Sequence, residues 1–184
     1  MEKVKDMDWK KEISRLVLIK QELHQYDPHS LWPWHIPGTA ANSTDIINVE
    51  SKLGFKLPTE YAKMFEYING WTGFFQTVDL FSLDDLLGSD LMKYAHTILM
   101  TLEQEGILHE SGISLDDIFP IAATKLDLDI FVITKHDINT PGMVIWYAGQ
   151  EIDRFTNLNE YFLSMIEYHE IGLKEIKEAY DKRN

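Results

Sequence analysis

The 184-residue chain contains no cysteine. That excludes disulfides and thiolate nucleophiles, and it leaves any bound metal to histidines and carboxylates alone. No stretch approaches the roughly 18 consecutive apolar residues that span a bilayer. The first residues, Met1-Glu2-Lys3-Val4-Lys5-Asp6, lack the apolar run of a secretory signal. Cytoplasm is the natural compartment on this reading, with a disulfide-free periplasm also compatible. Basic residues are scarce, 17 against 30 acidic ones, for a net charge of −13. Such a surface repels nucleic acid and anionic membranes, because binding phosphate relies on Lys and Arg displacing counterions. Walker-type, dinucleotide-type and Gly-x-Ser-x-Gly motifs are missing too, so phosphate cradles and serine hydrolases have no support. There is no internal repeat and no low-complexity stretch.

What is present describes a packed α+β globule. Hydrophobic residues make up 45% and aromatics 12%, well above the composition of disordered chains, and the length suits one domain. Charge is unevenly spread. Residues 1–63 carry nine acidic and nine basic side chains, so the other 21 acidic and eight basic residues, and the whole excess, follow them. The most lopsided section holds Asp84, Asp85, Asp90, Glu103, Glu105, Glu110, Asp116 and Asp117 against Lys93 alone. A basic partner would be attracted and steered by such a segment. The competing explanation, acidity for solubility, accounts for the total but less well for the clustering.

Periodicity outlines the elements. Trp9, Ile13, Leu16, Val17, Ile19 and Leu23 predict a helix from about Asp8 to Tyr26, stopped by Pro28. Leu31 to Gly38, with Trp32, Pro33 and Trp34, reads as an extended connector pinned by its tryptophans. Ser43 or Thr44 is expected to cap a second helix bearing Ile46, Val49 and Leu53, with Gly54 as terminator. Pro58 opens a third, whose face is Tyr61, Met64, Phe65 and Ile68, and Asn69-Gly70 ends it. Phe74-Phe75, Val78 to Phe81, Ile118 to Ala122, Ile130 to Thr134, Met143 to Tyr147 and Ile152 to Phe155 read as strands of an antiparallel meander sheet, about four to six in number. Leu91, Tyr94, Ala95, Ile98, Leu99 and Leu102 form a helical stripe inside the acidic section. A last helix starts at Asn157 and Glu160, carries Tyr161, Phe162, Met165, Ile166 and His169 inward, and is expected to break or bend at Gly172.

The pattern Glu50-x-x-Leu53-Gly54-x-x-Leu57-Pro58-x-x-Tyr61, then Met64-Phe65, then Asn69-Gly70, resembles the SUKH superfamily, which includes bacterial toxin-immunity proteins and the yeast Smi/Knr regulators of cell-wall synthesis. Phe119-Pro120-Ile121-Ala122, Asp129 to Ile133 and Val144 to Tyr147 are similar to its central strands. The resemblance implies one SUKH-like domain over 1–184. Its parts are a helix and Trp/Pro connector at 1–42, a family core at 43–170 and a charged helix end at 171–184. The first helix with its connector, and the long helix from Ser89 to Glu105, depart from the pattern. Glu50, Leu53, Gly54, Leu57, Pro58, Tyr61, Phe65, Asn69 and Gly70 read as structural, so function is sought elsewhere. Family members act by docking onto partners, commonly a nuclease or other toxin domain.

The remaining chemistry is thin. His24, His29 and His35 have spacings that match no common zinc pattern. Asp127 and Asp129 alternate with apolar residues, so both carboxylates could emerge on one strand face as a catalytic pair, yet two solvated aspartates at a strand start explain them better. Ser82 and Ser114 each precede Leu-Asp-Asp, which reads as two local helix caps. Trp32, Trp34 and Trp71 read as core or lid packing. The expectation is therefore a non-catalytic binding protein without cofactor, metal or small-molecule substrate, a monomer or weak dimer. Its partner is a protein toxin domain, a nuclease above other classes, met through Asp84, Asp85, Asp90, Glu103, Glu105, Asp116 and Asp117. The alternatives are a regulatory scaffold of the cell-wall type and, last, an enzyme using Asp127 and Asp129.

Overall fold

Asp8 accepts the Lys11 N–H and so caps the first helix, α1 (Trp9–Gln25), where sequence periodicity places it. The computed structural model describes residues 7–27, 29–31 and 34–182. The expected stop at Pro28 and the Trp32-Pro33 part of the connector lie outside them. Helix α2 (Ser43–Leu53) is capped by Asn42, not by Ser43 or Thr44. Asn42 accepts from the Asp45 N–H while the Asp45 carboxylate accepts from the Asn42 N–H, a reciprocal box that neither hydroxyl residue could build from inside the helix. Gly54 ends α2 in the left-handed region, φ +77°.

The motif residues then do structural work. Glu50 is buried beneath the α2–α3 turn, where its carboxylate accepts from the Leu57 N–H at 3.0 Å and the Lys56 ammonium at 2.6 Å. Pro58 leads into α3 (Thr59–Phe65), whose Tyr61, Met64 and Phe65 are fully buried. Gly70 has φ +81°, and a Cβ there would meet Ser82 at 2.9 Å, so the turn closes only with glycine. Asn69 accepts the Leu83 N–H at 2.8 Å. These two residues tie the family turn to the start of the acidic segment.

Six strands follow the expected meander: β1 (Trp71–Phe75), β2 (Val78–Leu80), β3 (Ile118–Ala123), β4 (Asp129–Thr134), β5 (Val144–Ala148) and β6 (Glu151–Phe155), each antiparallel to the next in chain order. All of β3, and β4 from Ile130 on, are buried. Because successive side chains point to opposite faces, both sides of the sheet are covered. Pro120 is tolerated in β3 because the register shifts between it and Ala122.

Residues 81–117, between β2 and β3, hold α4 (Leu83–Leu86), α5 (Asp90–Gln104), α6 (Ile107–Glu110) and a 3-10 turn (Leu115–Asp117). The closing helix α7 (Leu158–Asp181) packs Tyr161 against Phe74, Phe131 and Phe155 at centroid distances of 6.0, 5.2 and 5.5 Å. It runs straight through Gly172, where a break or bend was expected. Ion pairs from Arg15 to Glu170 and from Lys177 to Glu22 join it to α1 on both sides of the glycine, and Leu173 is buried beside it. Packing along α1 outweighs the helix propensity lost at one position.

Candidate partner-docking surface

The acidic segment is held by its own caps. Ser82 accepts the Asp85 N–H, and the Asp85 carboxylate accepts the Ser82 N–H at 2.9 Å and its hydroxyl at 2.6 Å, so α4 begins in a full capping box. The second Ser-Leu-Asp-Asp behaves differently: Ser114 makes no side-chain cap bond and a single 3-10 turn follows. Ser89 caps α5, which buries Met92, Ala95, Ile98, Leu99 and Leu102 and packs on β3.

Met92, His96 and Met100 follow one another at i, i+4 and i+8, which places them in one row along α5. They form one wall of an open groove of about 280 Å³, whose other wall includes Phe55 from the α2–α3 turn and Phe119 of β3. Lys135 closes one side. Its ammonium lies 5.2 Å from the Phe55 ring centroid and donates to the Asp116 carbonyl at 2.5 Å. Met100 is about half exposed at the groove margin.

Around this groove the seven singled-out carboxylates fall into separate groups. Asp84, Asp85 and Asp90 lie at the amino end of α5 and Glu103 and Glu105 at its carboxyl end, roughly 20 Å away at 1.5 Å per residue. Asp116 and Asp117 precede β3, where their carbonyls bind the Lys135 ammonium and N–H. Asp84, Asp90, Glu103, Glu105 and Asp116 are exposed, whereas Asp85 and Asp117 are half-buried. Asp90 pairs with Lys93 at 3.0 Å, and that hydrogen bond, followed by the charges of Lys93 and Lys125, lowers its pKa. The fold thus brings Lys125 to Asp90 and Lys135 to Asp116, cations that the linear count did not set against them. Glu103 and Glu105 lie at a helix end with no basic residue in its last turn.

The other candidates are placed in structural settings. Asp127 accepts the Asp129 N–H at 2.9 Å, and Asp129 accepts the Trp146 indole N–H at 2.6 Å, so the pair shapes the start of β4. Burial raises the Asp129 pKa against the lowering effect of that indole bond, with Asp127 adding to the rise. Trp71 is buried and donates to the His35 carbonyl at 2.7 Å. Trp34 stays 37% exposed and stacks on His24 at 6.1 Å.

A family described as SMI1-KNR4 cell-wall matches residues 43–163, from the first residue of α2 into α7. The chain belongs to the SUKH superfamily. No curated protein matches it. SUKH domains are generally non-catalytic immunity or regulatory proteins that work through protein partners. No helix among the described residues is long and apolar enough to cross a membrane. The groove went unnoticed in the sequence although the row of Met92, His96 and Met100 was legible in its spacing. Its second wall combines Phe55, at an unspecified position between Gly54 and Leu57 of the motif, with Phe119 of β3.

Proposed function

We propose that this SUKH domain is a non-catalytic immunity-type protein, resident in the cytoplasm, which seats the α5 groove and its acidic margins on the basic surface of a toxin domain, with a nuclease the favoured class. The observation that carries the reading is the combination of a half-open apolar groove with exposed carboxylates beyond both of its ends. Docking surfaces commonly have an apolar centre and a polar rim, and the rim charges govern steering. A nuclease presents Lys and Arg to phosphate, so carboxylates in that position imitate its substrate and occlude the groove. The chain supplies no chemical step.

A second reading is supported by the family's own description: a regulatory scaffold of the SMI1-KNR4 cell-wall type, binding an endogenous partner through the same surface. Capture from the native cell, followed by co-expression with the captured protein, separates the two. A captured toxin domain whose lethality is relieved by the wild-type chain, and not by Met100→Arg, supports immunity. Capture of a non-toxic cell-wall or signalling protein supports regulation. A partner whose binding ignores both Met100→Arg and salt concentration refutes this surface for either reading.

A further inference from the structure

Between α1, α7 and the β1–β2 hairpin lies a second, half-open cavity of about 70 Å³. Most of its walls lie outside the family match: Lys20, Leu23 and His24 from α1, Trp34 from the connector, and Tyr168 and His169 from α7, with Phe75 and Gln76 supplied by the hairpin. Lys20 is only 5% exposed. Its ammonium has three donors, of which one meets the Gly73 carbonyl at 2.5 Å. His169 beside it donates through Nδ1 to the Met165 carbonyl at 2.7 Å, which leaves Nε2 as an acceptor. A buried cation with so few acceptors is costly unless an anion completes it. The volume admits a ring or a short branched chain and is too small for a nucleotide-sized molecule.

We propose that this cavity binds a small apolar carboxylate, whose anionic head takes the spare donors of Lys20 and whose body lies against Leu23, Phe75 and Trp34. Apolar walls recognise the body, and the buried ammonium distinguishes an acid from a neutral molecule of the same shape. Burial alone lowers the Lys20 pKa to about 8, and a carboxylate at contact distance raises it again. Binding near pH 8 is therefore accompanied by proton uptake. The other ionisable groups lining the cavity are His24 and Asp27 at the end of α1 and Tyr168 and His169 of α7; the hairpin contributes none. His169 is held neutral down to about pH 4, and the Tyr168 pKa is raised, first by burial and then by its bond to Asp153.

Titration calorimetry with benzoate and isovalerate, and with benzamide as the neutral control, tests the site in two buffers of different ionisation enthalpy. At pH 8 the acids are expected to bind with uptake of about half a proton, falling toward zero at pH 6.5, and with affinity decreasing about tenfold per pH unit above 8. His24→Gln retains this uptake. Lys20→Met and benzamide each lose at least about tenfold in affinity, and the rim variant Trp34→Ala weakens the acids without altering the far-UV spectrum. If Lys20→Met fails to fold, the wild-type uptake and Trp34→Ala decide. Absence of binding by both acids at tens of millimolar, equal binding of benzamide, or binding without proton uptake at pH 8 overturns the proposal.

Discussion

Lys20 and His169 share the packing between α1 and α7, and the fold opposes the charge of each. For His169 the causes are burial first and the nearby Lys20 second, and together they lower its pKa from 6.5 to about 4. The unfolded chain therefore takes up a proton near pH 6.5 that the folded chain refuses until about pH 4. Stability from this group is fully present above pH 6.5 and is lost as pH falls through that window. Between pH 6.5 and pH 5 the loss is at most about 2 kcal/mol. Urea unfolding of His169→Gln is expected to remove that part of the slope, and identical slopes in the two proteins would contradict the burial argument. Lys20 acts at the other limb: its folded pKa of about 8 lies below the ordinary 10.5, so stability rises as pH increases from 8 to 10.5 and is flat below.

At the scale of elements, α7 shows how tertiary packing overrides a local signal. Gly172 has ordinary helical backbone, and a Cβ there would meet nothing within 4 Å. Gly172→Ala is expected to stabilise the chain by about 0.5–1 kcal/mol, read as a rise in the urea midpoint at unchanged m-value; a fall would mean that the helix needs the glycine. The six strands and the two helices of the family motif, α2 and α3, were legible because the local codes agreed there: apolar spacing, Gly54 as terminator and turn residues between strands. Asn42 as the cap of α2 was not, because Asn42, Ser43 and Thr44 compete for one role and only backbone geometry chooses. The burial of Lys20 was hidden differently. It lies four residues after Leu16, on the buried face of α1, yet a long charged side chain is ordinarily expected to reach solvent. The groove beside α5 joins that helix to Phe55 and Phe119, segments far apart in sequence, and no spacing rule connects them.

Considered as one molecule, the chain sets an even-handed first third against an acidic remainder, and the acids kept at the end of α5 work against the helix that carries them. Glu103 and Glu105 face the negative end of the helix dipole with no lysine or arginine in the last turn. Charge reversal at both positions, Glu103→Lys with Glu105→Lys, is therefore expected to raise the melting temperature by on the order of 2 °C. The same change is expected to slow association with a basic partner about tenfold at low salt, with the two proteins converging as salt screens the field. Opposite signs in the two measurements are what a docking role for this end of α5 requires, since solubility alone would let stability rise without touching the association rate. A variant that melts higher and associates as fast as wild type at low salt would remove Glu103 and Glu105 from the interface and leave the groove of Met92, His96 and Met100 to act through its apolar surface.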